Sequence, residues 1–231
     1  MIAGLSVLAV ITARGGSKAL PRKNIRAVGG MPLIAWSIRA AHQSRFIDRT
    51  ILSTDDAEIA AVAREFHCEV PFIRRQHLAA DDTPATDVVL DALDQMPGFD
   101  LIALLQPTSP LRTAEDIDTA IQLCAGSAAP GCVSVCEPDK SPYWMYTVDE
   151  RARLRPLLAD ASAGMRRQDL PPVQVLNGAV YVSRVDVLRQ HRSFVVDGTL
   201  AYRMPRRRSV DIDTELDLKL TEWLLQDASD A

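Results

Sequence analysis

The residue types best suited to holding a polyphosphate are concentrated near the start of the chain. The segment 12–24 contains the pair Gly15-Gly16 and four lysines and arginines, and it directly follows the apolar run 7–11. Glycine lets backbone N–H groups approach an anion closely, arginine offers phosphate oxygens a fork of donors, and lysine adds a mobile point charge. We therefore expect a nucleotide-phosphate site here, although a solvated basic loop would carry the same charges.

The distribution of charge along the chain agrees with a local anion site. Seven lysines and arginines precede Asp48, which is the first acidic residue, whereas the whole chain has a net charge of −4. The glycine turn matches neither the GxxxxGK[ST] phosphate loop nor the GxGxxG dinucleotide fingerprint. Proteins that bind nucleic acid are usually basic over a whole face, so the overall acidity argues against a nucleic-acid partner.

A pair of carboxylates near the end of the chain has the spacing of a metal site. Asp211 and Asp213 are two residues apart, so both side chains point the same way if the segment is extended. Mg²⁺ takes one or two protein carboxylates and completes its shell with water and phosphate oxygens. A helix N-terminus explains the pair equally well, with Asp213 as the cap and Glu215 in the first turn. Two other acidic pairs compete for the metal role, Asp55-Asp56 and Asp81-Asp82.

Further polar clusters follow predicted strands. The loop 106–112 reads QPTSPLR, and its two prolines make it stiff enough to fix an amide, two hydroxyls and a guanidinium in space. Residues 53–56 and 74–75 also follow strands, and Asn177-Gly178 precedes another apolar run. Ligands of layered α/β sheets bind beyond the carboxyl ends of the strands, so we expect these clusters to meet in one cleft.

The elements that position these residues alternate along the chain. Strands are predicted at about 5–12, 49–54, 69–73, 101–105 and 132–136, and helices at about 32–44, 57–66, 84–96 and 113–125. Asp56 and Thr113 are the predicted N-caps of the second and fourth of these helices, with acidic residues in the first turn. The segment 137–175 has little periodicity and is interpreted as an excursion, after which 178–182 returns as a strand and 214–226 forms a last helix. The pattern predicts a layered α/β domain with a largely parallel sheet.

Composition limits where the protein works. The chain has 231 residues, 47% of them hydrophobic, which is enough for one large domain. No apolar stretch reaches the ~18 residues of a membrane span, so no membrane partner is expected. Positive charge follows the first apolar run instead of preceding it, which argues against a secretory signal. Four scattered cysteines without a CxxC pair predict buried thiols and a reducing, cytoplasmic setting.

Five motifs in a fixed order connect the chain to a known family. They are ARGGSK-LPRKN at 13–24, STDD at 53–56, QPTSPLR at 106–112, NGAVY at 177–181 and DIDTELD at 211–217. With these motifs the chain resembles the acylneuraminate cytidylyltransferases, the CMP-sialic acid synthetases, from about residue 7 to 225. The resemblance implies a Rossmann-like α/β nucleotidyltransferase fold, three-layered with a mostly parallel sheet. It also implies a single domain over 1–231 and a homodimer, formed through a protruding dimerisation segment at about 138–176.

The resemblance also implies a reaction, in which CTP and a nine-carbon 2-keto sugar acid give a CMP-sugar and pyrophosphate. The anomeric hydroxyl would attack the α-phosphorus with the help of Mg²⁺. The implied CTP site consists of Arg14, Gly15, Ser17, Lys23, Asn24, Arg74 and Gln106. The implied sugar-acid site consists of Gln106, Arg167, Asn177, Tyr181 and Phe194. Asp211 and Asp213 would hold the metal and, with Arg14 and Lys23, would form the catalytic set.

Several positions depart from the family pattern. Ala19 stands where glycine is usual, so a positive φ there would be strained, unless the turn is shifted. Ala85, Trp144 and Val175 differ mainly on the sugar side, which leaves room for legionaminic or related bacterial nonulosonic acids. The alternatives are an enzyme for an eight-carbon acid such as Kdo, and a non-catalytic nucleotide-binding regulatory module. A regulatory module would be marked by loss of the basic loop or of the metal carboxylates, and both are present.

Overall fold

Strands and helices alternate over most of the chain. A computed structural model describes residues 1–158 and 166–229. The strands are β1 Val7–Thr12, β2 Ala27–Val28, β3 Met31–Pro32, β4 Arg49–Ser53, β5 Leu101–Leu105, β6 Gly131–Cys136, β7 Tyr146–Val148, β8 Leu154–Pro156, β9 Val175–Arg184 and β10 Leu200–Arg203. The helices are α1 Leu33–Gln43, α2 Ala57–Glu65, α3 Ala85–Gln95, α4 Ala114–Ala125, α5 Val185–His191 and α6 Glu215–Ser229.

The central sheet has six strands in the order β10-β6-β9-β5-β1-β4. Strand β9 runs antiparallel to its neighbours β5 and β6, whereas the other pairs in the sheet are parallel. The mostly parallel sheet predicted from the sequence is therefore confirmed. Because β1, β4 and β5 run in the same direction, the loops that follow them emerge at one edge of the sheet.

Helices cover both faces of this sheet. In β1 the side chains of Val7, Ala9 and Ile11 join one buried cluster, whereas those of Leu8 and Val10 join the other. This alternation follows from the two-residue period of a strand buried on both faces. Helices α1, α2 and α4 contribute to the first cluster, and α3 and α5 contribute to the second. The three-layer arrangement is thus confirmed.

The structure corrects one predicted strand and adds elements that were not predicted, which are the strands β2, β3, β7, β8 and β10 and the helix α5. The predicted strand at 69–73 is wrong, since Glu69 forms only an isolated parallel bridge with Ile51. Pro71 lies within this segment and has no N–H to donate to a strand ladder. Helix α5 and strand β10 had no clear sequence signal. The first is one short helix, and the second is an edge strand with partly or fully exposed side chains.

The predicted excursion leaves the sheet after β6 and returns with β9. Strands β7 and β8 form an antiparallel hairpin within it, and Met145, Val148 and Leu154 expose their apolar side chains there. Part of the excursion, 159–165, lies outside the described residues. Its role in dimerisation stays a prediction.

All four cysteines are buried and free, and Cys132 and Cys136 pack within β6 as expected. In the part of the chain that the structure describes, we find no helix with the length and apolar character needed to span a membrane.

One buried carboxylate holds the start of α4 against the C-terminal part of the chain. Asp116 is fully buried and accepts hydrogen bonds from Arg208 Nη2 at 2.7 Å, Tyr202 Oη at 2.8 Å and the Thr113 N–H at 2.9 Å. Burial by itself would raise the pKa of Asp116, but the hydrogen bonds from Arg208, Thr113 and Tyr202 outweigh it and lower the pKa. The carboxylate is therefore ionised in the folded protein, and it contributes to stability.

We expect Asp116→Ala to lower the free energy of unfolding by about 3 kcal/mol or more, because it leaves Arg208 without its partner. In the wild type this contribution is present above the usual aspartate pKa of about 3.9 and is lost as pH falls through the lower pKa of the folded state. Urea unfolding at pH 7 and pH 3 measures both effects. Asp94→Asn is the control, since Asp94 and its partner Arg189 are exposed. An equal effect of the two substitutions would contradict the assignment.

Candidate active site

A cavity of about 300 Å³ lies at the carboxyl edge of the sheet, where several predicted clusters meet. Its walls come from the loops that follow β1 and β5, from the segment 74–88 and from the acidic residues of 211–213. The Ile212 N–H donates to Thr108 O at 2.8 Å, which ties the acidic segment to the loop after β5. Residues far apart in sequence thus line one site.

Buried polar contacts hold the basic loop in shape. The Gly15 N–H donates to Asp55 Oδ1 at 3.0 Å, and Asn24 Nδ2 donates to Arg14 O at 2.9 Å. Asn24 is itself buried and lines the cavity, so its amide both stabilises the loop and forms part of the cavity wall. Ser17 donates its N–H to Gly15 O at 3.1 Å and does not line the cavity.

The left-handed residue of this loop is Arg22, with φ 59°, and not Ala19. Ala19 is absent from the residues with positive φ, so alanine causes no backbone strain at this position. The turn is therefore shifted to Arg22, the residue before Lys23. The side chain of Lys23 points toward the acidic segment, where its Nζ donates to Ile212 O.

Gly15 is required by a close approach and not by its φ angle. A Cβ atom at this position would lie 2.5 Å from Asp56 Oδ2, which is too close for any real contact. Asp56 cannot move freely, because its carboxylate caps α2 by accepting from the Glu58 and Ile59 N–H groups. The cap predicted at Asp56 is confirmed, and it fixes the distance between the basic loop and α2.

We expect Gly15→Ala to destabilise the fold by roughly 1–3 kcal/mol, because the added methyl must displace the α2 cap. Gly16→Ala is the matched control, since a Cβ at Gly16 meets nothing within 4 Å. Thermal unfolding of the two variants, with and without CTP, measures the difference. A Gly16→Ala variant as unstable as Gly15→Ala would contradict the steric explanation.

Lys23 joins the basic loop to the acidic segment. Its Nζ donates to Ile212 O and to Asp213 Oδ1, each at 3.0 Å, and its side chain is only 15% exposed. Asp213 in turn is 70% exposed, so its carboxylate remains open to a ligand. This contact spans 190 positions of sequence and sets the geometry of the cavity.

Two other cations lie at the rim. Arg14 Nη1 lies 2.5 Å from Asp81 Oδ1, and Lys18 pairs with the second oxygen of the same carboxylate. Both cations lower the pKa of Asp81, with the larger effect from Lys18. Arg14 lines the cavity, so a bound triphosphate would compete with Asp81 for its guanidinium.

Arg74 is a lining residue that is also built into the core. It is buried, its Nε donates to Ser53 Oγ at 3.1 Å, and its Nη2 donates to Ser53 O. Burial lowers its pKa to about 10, and a nearby negative charge from Asp55 partly opposes this shift. The guanidinium remains charged at neutral pH and supplies a fixed positive charge to the cavity wall.

In the acidic segment, the contacts that cap the last helix come from Thr214 and Asp217. Thr214 caps α6, since the Asp217 N–H donates to Thr214 Oγ1 at 3.3 Å and Asp217 Oδ2 accepts from the Thr214 N–H at 2.7 Å. The alternative explanation of the pair, with Asp213 as the helix cap, is therefore wrong. The carboxylates of Asp211 and Asp213 both line the cavity and are left available for a ligand.

Three of the four carboxylates in the competing acidic pairs have structural partners. Asp55 accepts from the Gly15 N–H, Asp56 caps α2, and Asp81 pairs with two cations. The pKa of Asp211 is raised, mainly by burial and secondarily by the charge of Asp213, although the side chain of Thr108 hydrogen-bonds the carboxylate. In this Asp211 differs from Asp81, whose pKa is lowered by its two cations. A raised pKa marks a carboxylate that would gain from a bound cation.

A second cavity of about 500 Å³ adjoins the first and shares Asp211 with it. Asn177 lies in its wall, but both ends of the amide are occupied within the protein: Oδ1 accepts from Ser134 Oγ at 2.6 Å and Nδ2 donates to Ser209 Oγ at 2.9 Å. Gly178 has φ 76° and lies against the side chain of Gln106. A Cβ atom at this position would lie only 3.0 Å from Gln106 Oε1, so a larger residue would crowd that side chain.

The remaining residues predicted for the sugar acid are more dispersed. Tyr181 and Phe194 pack with their ring centroids 5.6 Å apart, and the pKa of Tyr181 is raised by burial and by the charge of Asp211. Arg167 is half exposed, pairs with Glu137 and lines a third cavity of about 290 Å³. Within one chain, therefore, Tyr181 neighbours Asp211 whereas Arg167 lies in a separate cavity.

The comparison with known proteins identifies this architecture. Residues 8–194 match the family described as cytidylyltransferase. The chain belongs to the cytidylyltransferase family. Membership confirms the resemblance drawn from the five motifs, and with it the class of reaction, which is transfer of a cytidylyl group from CTP.

This cytidylyltransferase is 36% identical over 229 residues to CMP-N,N'-diacetyllegionaminic acid synthase of Legionella pneumophila, and the match covers 96% of this chain and 97% of the relative. It is 32% identical over 212 residues to N-acylneuraminate cytidylyltransferase of Streptococcus agalactiae, where it covers 91% of this chain and about half, 51%, of the relative. A solved CMP:2-keto-3-deoxy-manno-octonic acid synthetase complexed with CTP shares the fold. The TM-score is 0.74 at 18% identity, covering 96% of this chain and 99% of that one.

The hydroxyls and the guanidinium of the loop 106–112 were expected to serve recognition, but Thr108 anchors a neighbouring segment and Arg112 is buried. Thr108 accepts the Ile212 N–H and hydrogen-bonds Asp211, so it anchors the acidic segment of the cytidylyltransferase site. Arg112 was expected to be presented for recognition, but it is buried and donates from Nη1 to Ala179 O at 2.7 Å. The prolines of the loop were a signal for stiffness, but they carried no information about which side chains point inward.

Proposed function

We propose that this cytidylyltransferase activates a nine-carbon 2-keto sugar acid, a nonulosonic acid, with CTP to give the CMP-sugar and pyrophosphate. The observation that supports this proposal is the position of Asp211, which lines both adjoining cavities. CTP in the first cavity and the sugar acid in the second would meet at this residue. The relatives named for legionaminic and N-acylneuraminic acids support the substrate class.

Positioning and charge neutralisation would supply most of the catalysis. In-line displacement at the α-phosphorus needs the sugar hydroxyl held opposite the leaving pyrophosphate. Arg14, Lys23 and Arg74 line the CTP cavity and would neutralise the triphosphate as negative charge develops on the leaving group. The buried Asn24 amide and the Gly15 turn keep these cations in place.

The donor set of the site fits Mg²⁺. Asp211 and Asp213 offer hard carboxylate oxygens that serve no helix cap, and they face a cavity with cations for phosphate. Throughout the described chain, no group of three or more histidine, cysteine or acidic side chains is arranged as a complete metal site. The nucleotide's own phosphate oxygens would therefore complete the shell. When bound, Mg²⁺ would neutralise phosphate charge and act as a Lewis acid at the reacting centre.

One part of the wall of the second cavity is apolar and suits the apolar substituents of a sugar acid, whereas the rest carries four acidic residues and two arginines. Val175, Leu176, Leu220 and Leu224 line this cavity, and the first three are strongly exposed to it and to solvent. The N-acyl and deoxy positions of legionaminic-type acids would bury apolar surface against these side chains. Kdo lacks N-acyl groups, so we expect it to be a poorer substrate than the nonulosonic acids. The solved synthetase for that acid supports only the shared fold.

We further propose a homodimer in the cytoplasm. The exposed Met145, Val148 and Leu154 of the hairpin would be covered by a second copy of the chain. The third cavity shares Glu137 and Pro138 with the second, so a partner's hairpin seated here could complete the path from Arg167 to the sugar-acid cavity. The four free cysteines fit a reducing compartment.

If Arg167 binds the sugar carboxylate, Arg167→Ala should raise the KM for the sugar acid at least about tenfold, the cost of one charge-assisted pair, and leave the KM for CTP within about twofold. Steady-state kinetics with each substrate varied in turn measures both constants. Arg166→Ala is the matched control, since Arg166 is the exposed neighbour that pairs with Asp169. Equal increases in both KM values would rule out the carboxylate role.

The proposed function is tested by measuring pyrophosphate released from CTP, in the presence of Mg²⁺, with each of three acids. The acids are N,N'-diacetyllegionaminic acid, N-acetylneuraminic acid and Kdo. We expect release with at least one nonulosonic acid, with a kcat/KM about tenfold or more above that for Kdo. A preference for Kdo would overturn the substrate class. No release with any acid, together with intact CTP binding, would favour the regulatory alternative.

A further inference from the structure

A cavity outside the candidate active site has the lining of an anion site. It has a volume of about 460 Å³ and lies between α1, α6 and the second half of the loop 106–112. The first half of that loop lines the CTP cavity, so the loop separates the two. We name it the arginine cavity after the four arginines in its wall, Arg39, Arg112, Arg207 and Arg208.

These arginines are only partly neutralised. Arg208 pairs with Asp116 at 2.7 Å, and Arg207 pairs with Asp227 at 2.8 Å. Arg39 forms no ion pair within the described chain, and its guanidinium lies 4.3 Å from the centroid of the Trp36 ring. Among the described residues that line the arginine cavity, none is acidic. The wall therefore carries a net positive charge.

One buried hydrogen-bond donor in the same wall, Arg112 Nε, has no acceptor among the described residues. Arg112 is 3% exposed, and its two Nη atoms donate to Gln106 O, Ala179 O and Ser37 Oγ. Burial lowers its pKa to about 10, against a smaller opposing effect from Asp116. A buried cation with an unmade hydrogen bond is costly, and an anion beside it would offset part of that cost.

The rest of the wall is apolar and suits a flat organic group. Trp36, Pro110, Leu224 and Leu225 contribute to it, and Ala40 adds a small buried surface. The volume falls within the range of about 300–1,000 Å³ that holds small ligands. Apolar walls with several arginines select a molecule that is flat and apolar at one end and anionic at the other.

We propose that the arginine cavity binds an organic phosphate with a flat apolar group, at a site separate from that of CTP. The phosphate would lie toward the arginines, with Arg39 as its most accessible partner. The apolar group would lie against Trp36 and the leucines of α6. The proposal does not depend on the sugar acid or on turnover.

The probe is phenyl phosphate, titrated calorimetrically into the full chain in saturating CTP and Mg²⁺ without sugar acid, so that the active site is filled. We expect one saturable site, with affinity about tenfold higher than for inorganic phosphate or phenol alone, because each probes only half of the cavity. Equal affinities for phenyl phosphate and inorganic phosphate, or no saturable binding, would overturn the proposal.

Two variants locate the site without disturbing the core. Arg39 and Gln43 are exposed on α1 and line the arginine cavity. Arg39→Gln removes a cation and Gln43→Glu adds a repelling charge, so each should weaken phenyl phosphate binding about fivefold or more. Arg64→Gln is the matched control, since Arg64 is exposed on α2 and lies outside this cavity. The same affinity in all three variants would place the probe elsewhere and overturn the assignment.

Discussion

Asp211→Asn should lower kcat by about 10²-fold or more, because it removes the charge proposed to hold Mg²⁺ at the point where the two cavities meet. The amide keeps the size of the side chain and one oxygen, so the fold should persist. CTP should still stabilise the variant against heat, since Arg14, Lys23 and Asn24 remain in the cavity. Single-turnover kinetics and CTP-dependent thermal shifts measure the two effects separately.

Asp197→Asn is the control for this substitution. Asp197 is exposed in the loop before β10, outside both cavities that share Asp211. It should retain wild-type kcat. Full activity of Asp211→Asn would contradict the metal assignment, and loss of CTP-dependent stabilisation would show that Asp211 acts mainly in nucleotide binding.

Lys23→Gln should reduce kcat/KM for CTP about 10²-fold, the effect of losing a well-placed charge in a partly buried site. Two causes combine, since Lys23 supplies a cation to the cavity and holds Ile212 O and Asp213 in position. Its side chain is only 15% exposed whereas Asp213 is 70% exposed, so the hydrogen bond to Ile212 O is the better shielded of the two contacts. Steady-state kinetics with CTP varied measures the loss.

Lys18→Gln is the matched control in the same loop. Lys18 is 85% exposed and pairs with Asp81 at the rim, where water and salt screen its charge. Its substitution should change kcat/KM for CTP by less than about threefold, as for other surface pairs. Similar losses in both variants would mean that the net charge of the loop matters and not the position of Lys23.

Local patterns in the sequence predicted most of the architecture. The buried runs of β1, β4, β5 and β6 and the amphipathic helices α1 to α4 appear close to their predicted bounds. Both caps predicted for α2 and α4 are present, at Asp56 and Thr113, because capping depends on residues only two or three positions away. The predicted strand at 69–73 is wrong, since only Glu69 bridges the edge strand β4 and Pro71 interrupts the series of N–H donors that a ladder requires.

The candidate site was less accessible to sequence reasoning because its contacts are long-range. The motifs named Lys23 and Asp213, but their contact across 190 positions follows only from the folded sheet. Capping by Thr214 and Asp217 could not be distinguished from capping by Asp213 without the geometry of the segment. The motif also named Arg112, but this residue is buried and donates to Ala179 O in the core, so it does not contact a ligand in the candidate site.

The most direct measurement maps the metal itself. Iron(II) in place of Mg²⁺, with CTP, ascorbate and peroxide, cleaves the backbone next to the bound ion, and mass spectrometry locates the cuts. We expect cleavage within 211–213 and within the basic loop 12–24, because Lys23 and Asp213 bring these segments together. The cut within 211–213 should be strongly reduced in Asp211→Asn. Cleavage that spares 211–213, or that persists unchanged in the variant, would contradict an active site built where the basic loop meets Asp211 and Asp213.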